Sequence, residues 1–332
     1  MAASSESNLK FVASAVVVVA LALASGCQPG GSQPRGGGAG GVRLAFVTNN
    51  ASEFWKLAAN GVHKYEAEAA VKVDIKMPAN GTVEEQNEII EGLLSQGYEA
   101  IAVSVVAPKA QTAMLDAAAA KTRLITFDSD AVTSKRLLYV GSVTYEAGKN
   151  LGDRIVELLP KGGKIAVFVG SLSADNAQER LKGIEDAVFF HKIEIVSKLE
   201  DQTDRGKARA NVTEVLNTRS DVKLVCGLWS YNGPAIAAAL EASPRRGKVL
   251  AAVFDEEEGT LNGLKSGTIS ATVVQHPFEM GYRSAKWLHL LATDFDTARA
   301  GIPANRIENT GVEVIDKANV ADFESRLAEW KK

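Results

Sequence analysis

From residue 42 onward, short runs of β-branched and aliphatic residues alternate with longer segments of helical periodicity, and no other property of this chain narrows its fold as far. A short apolar run followed by an amphipathic stretch of roughly 10–15 residues is the rhythm of βαβ units, whose crossover helices return the chain to a parallel strand. Strands are expected at 43–48, 71–77, 100–105 and 124–127, with helices over 54–69, 83–95 and 110–120 between them. After a short strand at 138–140 the order begins again. A helix is expected over 145–159, strands at 164–169, 194–199, 222–226 and 249–254, and helices over 177–190, 205–217 and 234–242; one more strand follows at 268–274. Asn80-Gly81-Thr82 makes a turn ahead of a helix, Pro160 to Gly163 stops another, and Gly247 separates a third from its strand. The halves share element order but no short motif, which argues against a repeat array. The expected fold class is therefore α/β, with two similar doubly wound parallel-sheet domains.

The ends of the chain serve other purposes. Lys10 precedes an apolar run over 11–24 that is too short to anchor in a bilayer and has the layout of a secretory signal. Leu23-Ala24-Ser25-Gly26-Cys27 resembles the lipobox of bacterial lipoproteins, which implies lipidation of Cys27; the alternative is an ordinary signal peptide cut nearby. Either reading exports the protein, to the cell envelope or periplasm. Residues 28–41 are rich in Gly, Pro and Ser with nothing large and apolar, so they are expected to form a flexible tether. What remains suits two domains of about 100–150 residues each. A formal net charge of −3 gives no electrostatic reason to expect nucleic acid. With Cys27 acylated, Cys226 has no partner in the chain and is expected to be a buried free thiol.

In open parallel sheets, ligands bind beyond the carboxyl ends of the strands, where loops converge. Here those ends carry Asn49 with Phe54 and Trp55 close behind; Asp128 and Ser129; the segment leading to Arg180; Trp229; Asp255; and Gln275. Flat aromatic faces suit the C–H faces of a sugar, and Asp, Asn and Gln suit hydroxyls that both donate and accept. Aromatics at the start of a helix are, on residue type alone, more often core than ligand platform. Asn49 and Ser129 can equally serve to shape their turns.

Several segments together carry a wider resemblance: LAFVTNNASEFWKLAANGV, EEQNEIIEGLLSQGYEAIAVSVVAP, ITFDSDA, NAQERLKGIEDAV and VFDEEEGTLNGLKSGTISATVVQHPFEMG. With their spacing, they make 42–315 resemble the ribose-binding branch of the type I periplasmic binding proteins of ABC transporters. The resemblance implies two lobes joined by a three-segment hinge, with crossings near 140–143, 275–277 and 306–311. The lobes would be 42–142 plus 276–308 and 143–275 plus 309–332. It further implies a monomer that closes on a monosaccharide and presents the closed form to a membrane permease, with no cofactor and no catalysis. Phe54 and Trp55 match aromatics that stack on the sugar, while Asp128, Arg180, Asp255 and Gln275 match groups that bond its hydroxyls. The sequence departs from the pattern at Ser129, where ribose binders carry arginine, at Trp229, where they carry asparagine, and near Thr203 or Asp204, where an aromatic is usual. An altered ring size, a polyol, an inositol or an autoinducer-like ligand stays open.

Other chemistries have no anchor. His63, His191, His276 and His289 form no metal-spaced pair, Gly162-Gly163-Lys164 precedes a strand where a P-loop follows one, and no G-x-S-x-G elbow is present. The competing readings are a sensor that shows its closed form to a receptor, and a sugar-processing enzyme using Asp128 and Asp255 as paired carboxylates.

Overall fold

Apolar runs set between caps and breakers define the elements, and the computed structural model describes residues 41–331. The signal segment, Cys27 and the tether up to residue 40 lie outside the described residues. The first half runs β1 (Leu44–Val47), α1 (Glu53–Ala69), β2 (Val73–Lys76), α2 (Val83–Ser95), β3 (Ala100–Val103), α3 (Pro108–Ala119), β4 (Arg123–Phe127) and β5 (Tyr139–Gly141). The second runs α4 (Thr144–Leu158), β6 (Gly163–Val169), α5 (Asp175–Val188), β7 (Ile193–Glu200), α6 (Arg205–Thr218), β8 (Val222–Gly227), α7 (Asn232–Glu241), β9 (Leu250–Phe254), α8 (Glu258–Ser266) and β10 (Ala271–Val274). The chain then forms α9 (Pro277–Thr293), α10 (Phe295–Gly301), β11 (Ile307–Asn309), β12 (Glu313–Ile315) and α11 (Val320–Trp330).

Capping explains several of these starts. The Thr82 hydroxyl accepts from the Glu85 N–H at 3.2 Å, and the Glu85 carboxylate reaches back to the N–H groups of Ala79 and Asn80 at 2.8 and 2.9 Å. These bonds satisfy donors that the first turn of α2 and its approach would otherwise leave bare. Asp204 caps α6 in the same way through the Lys207 N–H at 2.9 Å. The last strand of the second half is shorter than the expected 268–274. Gly267 ends α8 with φ +78°, and the Ile269 N–H bonds back to the Gly263 carbonyl, so pairing with β9 begins only at Ala271.

Two six-stranded sheets result, ordered β11-β5-β4-β3-β1-β2 and β12-β10-β9-β8-β6-β7. The two orders correspond place for place, with β4 equivalent to β9 and β5 to β10. Every pairing is parallel except β12 against β10. Strands covered on both faces read as unbroken apolar runs, as in β1 and β3, whose residues are all buried. Alternate residues serve opposite faces: Leu44 and Phe46 join one cluster, and Ala45 and Val47 join another. The second sheet divides likewise, with Ala166 and Phe168 on one side and Ile165 and Val167 on the other. Cys226 is a buried free thiol whose pKa burial pushes up to about 12.

The chain passes between the sheets three times: after β5, after β10, and between β11 and β12. Helix pairs beside each sheet pack closely where they carry glycine. A Cβ on Gly61 or Gly281 would collide with the backbone across the α1–α9 contact, and one on Gly148 or Gly183 would collide with the backbone across the α4–α5 contact. The first contact seats the helix bearing Phe54 and Trp55, and the second seats the helix bearing Arg180.

Candidate functional site

The carboxyl ends of both sheets open onto one cleft of about 1270 Å³. Asn49, Phe54, Trp55, Asp128, Ser129, Arg180, Trp229, Asp255 and Gln275 all line it. Neither Thr203 nor Asp204 does; Asp204 is committed to capping α6.

Asp128 and Asp255 stand at equivalent places, one residue past β4 and β9. Both adopt left-handed backbone, with φ +55° and +65°, a conformation that Asp tolerates better than most residues. Neighbouring strands hold them there. Asp128 N–H donates to the Val140 carbonyl at 3.1 Å and Asp255 N–H to the Val273 carbonyl at 2.8 Å. Each carbonyl in turn accepts a hydroxyl, Tyr139 Oη at 2.9 Å for Asp128 and Thr272 Oγ1 at 2.7 Å for Asp255. The turn therefore aims both carboxyls into the cleft.

Burial dominates their acidity. It pushes Asp128 up to about 6, with Asp255 adding to the rise while the Ser104 hydroxyl at 3.1 Å and Arg180 oppose it. Asp255 is also raised by burial, against Arg180 and the Gln275 amide at 3.4 Å. Glu256, the next residue and also on the cleft wall, is pushed up to about 8 by burial and then by Asp255.

Arg180 is 6% exposed; its Nη1 donates to the Leu228 carbonyl at 2.5 Å and its guanidinium lies 4.2 Å from the centre of the Phe254 ring. Among the described residues its Nε has no hydrogen-bond partner, and neither does Trp229 Nε1. A Cβ on Gly170 would occupy the space taken by the Trp229 ring, so that glycine makes room for the indole. Gln275 joins two of the chain crossings: its Oε1 accepts from Ser142 Oγ at 2.6 Å while its Nε2 faces Asp255.

The aromatics differ in what they offer. Trp55 is 3% exposed and packs edge-on against Phe127, with ring centres 5.7 Å apart, so it belongs mainly to the core; Phe54 meets it edge-on at 4.8 Å and is less buried. Asn49 Oδ1 accepts from Asn50 Nδ2 at 2.8 Å, and Ser129 Oγ donates to the Val105 carbonyl at 2.7 Å, so both shape turns at the cleft wall.

Sequence reasoning missed a buried network behind Trp229. The Asp201 carboxylate accepts from Tyr231 Oη and, at 3.0 Å, from Asn232 Nδ2, while Asn232 Oδ1 accepts from the Trp229 N–H at 3.0 Å. Asp201 lies one residue past β7, so the strand-end rule could have found it. Glu256 was likewise visible beside Asp255. Among the described residues, no group of three or more His, Cys, Asp or Glu is arranged to hold a metal ion. The arrangement offers aromatic surface, carboxyls and unpartnered donors from two lobes.

A family model described as a periplasmic binding protein domain matches residues 44–294. The ribose import binding protein of Haemophilus influenzae is 27% identical over 246 residues, covering 72% of this chain and 81% of that protein. The D-ribose/D-allose-binding protein of Pseudomonas aeruginosa is 24% identical, covering 70% and 76%. Among solved structures, an ABC transporter solute-binding protein from Burkholderia graminis in complex with D-arabinose superimposes with a TM-score of 0.75 at 28% identity, covering 84% of this chain and 96% of that one. An arabinose-binding protein from Geobacillus stearothermophilus gives 0.76 at 27% identity, covering 86% and 99%.

Proposed function

The chain belongs to the periplasmic binding protein family, and on that premise we propose that it captures a monosaccharide or related polyol between its two lobes and delivers it to the permease of an ABC transporter. The observation that carries this reading is that residues spread from Asn49 to Gln275, drawn from both sheets, line a single cleft. Phe54, and Trp55 behind it, supply the apolar wall for the C–H face of the ring. Asp128, Asp255 and Gln275 bond hydroxyls, and the unpartnered Arg180 Nε and Trp229 Nε1 are donors waiting for an acceptor. Asn49 and Ser129 hold the rim. A charge-assisted hydrogen bond contributes about 1.5–3 kcal/mol, and a micromolar dissociation constant corresponds to about 8 kcal/mol, so a few such contacts suffice.

The lobes in this reading are 42–142 plus 276–308 and 143–275 plus 309–332, and the protein acts as an exported monomer held to a membrane through lipidated Cys27. Incorporation of a palmitate analogue that survives Cys27→Ser would reject the anchor. Binding is tested by thermal shift and calorimetry with D-arabinose, D-ribose, D-xylose and D-allose. At least one should raise the melting temperature and bind with micromolar or tighter affinity, because a ligand that binds only the folded state stabilises it by mass action. An unchanged melting temperature across pentoses, hexoses, their amino derivatives and polyols would reject the reading. Release of product from the matching glycosides would favour an enzyme instead.

A further inference from the structure

The charges on the cleft wall bear on what else the ligand carries. Several carboxyls there already have their own cations: Asp130 pairs with Arg136 at 2.5 Å, Asp175 with Lys109 at 3.0 Å, and Glu257 with Arg205 at 2.9 Å. Asp128, Glu179, Asp255 and Glu256 make no ion pair among the described residues, and all four line the same cavity. The cations left to face them are Arg180 and Lys331. Arg180 gives its Nη1 to the Leu228 carbonyl and stacks on Phe254, and its buried Nε is unpartnered. The centre of the cleft thus holds more acid than base.

We propose that the ligand is an aminated polyhydroxy compound, an amino sugar or amino polyol, whose ammonium group lies against Asp255, Glu256 and Asp128 while its hydroxyls meet Arg180 and Gln275. This rests on the sugar-binding reading above and deepens it. A neutral ligand that expels water from the cleft leaves like charges facing one another in a drier medium, which forces protons onto them. An anionic ligand makes that repulsion worse. An ammonium group offsets it and brings three donors to carboxylates that only accept. Consistent with this, burial holds Glu256 at about 8, so near neutral pH it exchanges its proton for a bound cation, while Asp128 at about 6 is already largely ionised there.

Calorimetry at pH 7 on the intact protein tests the proposal with D-glucosamine and D-galactosamine, their neutral parents D-glucose and D-galactose, and the uncharged N-acetyl derivatives. At least one amine should bind tenfold or more tighter than both of its uncharged counterparts. Glu256→Gln, checked for folding by its thermal transition, should cut that preference at least fivefold. An advantage below tenfold for both amines overturns the inference and, where a neutral sugar binds, leaves the sugar-binding reading standing. If neither amines nor neutral sugars and polyols bind, both fall.

Discussion

At the scale of single residues, the cleft is governed by what burial does to carboxyls. Asp128 and Asp255 each present a carboxyl from opposite lobes, so Asp128→Ala or Asp255→Ala should weaken sugar binding more than tenfold by calorimetry while leaving the far-ultraviolet dichroism unchanged. Affinity equal to the parent's in both variants rejects the site. The same burial makes a statement about stability. Asp128 and Glu256 have folded-state pKa values of about 6 and about 8, above their ordinary values, so the folded state holds protons there that the unfolded chain has released. Their contribution is fully present below the ordinary carboxyl range and is lost as pH rises through about 6 for Asp128 and about 8 for Glu256. Without ligand, Glu256→Gln should therefore gain melting temperature relative to the parent as pH is raised from 5.5 to 8.5. His276, whose pKa burial lowers, is common to both proteins and cancels in the difference. A difference that stays flat with pH shows that Glu256 is not desolvated.

At the scale of elements, the close helix pairs set how well the site is aimed. Gly148 lies against the Arg180 backbone, so Gly148→Ala should push α4 from α5 at a cost of about 1–3 kcal/mol and weaken sugar binding as Arg180 moves. A Cβ on Gly92, in α2, would meet nothing within 4 Å, so Gly92→Ala should instead stabilise by up to about 1 kcal/mol and leave binding alone. Urea denaturation distinguishes the two, and equal effects would show that the α4–α5 contact yields freely. These elements also show what a sequence discloses. Among strands β1 to β10 the central ones were legible because parallel strands covered on both faces read as continuous apolar runs bounded by breakers, and the edge strands β2 and β7 because apolar and polar residues interleave in them, as in Val73-Asp74-Ile75-Lys76. The short β11 and β12 were not, since three residues such as Ile307–Asn309 carry no periodicity and are strands only because β5 and β10 lie beside them. The site divided in the same way. Asp128, Asp255 and Gln275 followed from strand ends, whereas the partnership of Asp201 with Tyr231 and Asn232 joins residues about thirty apart, and it exists only because parallel β7 and β8 flank β6 and end on the same side of the sheet. The burial of Trp55 against Phe127 was equally invisible, because residue type cannot tell a ring that faces a cleft from one that backs it.

At the scale of the whole molecule, the cleft is larger than the 300–1,000 Å³ typical of small-molecule sites, so a monosaccharide leaves part of it unfilled unless the lobes approach. What resists or guides that approach is slight. Lys109 and Asp175 pair across the cleft at 3.0 Å, but both are exposed, and such pairs contribute about 0–1 kcal/mol. Ser142 and Gln275 tie two crossings together at 2.6 Å, and Asn60 of α1 donates to the Trp330 carbonyl at the end of α11 at 2.8 Å. A ligand shifts such an equilibrium only by its difference in affinity for the two arrangements, and that difference comes from contacts made to both lobes at once. Saturating sugar should therefore reduce the radius of gyration measured by small-angle X-ray scattering. Replacing two of the second-lobe contacts together, Arg180→Ala with Asp255→Ala, should leave weak binding through Asp128 and sharply reduce the compaction even at saturation. Compaction that persists in the double variant would mean that the first lobe alone drives closure, and the cleft would then have to be assigned by a different set of residues.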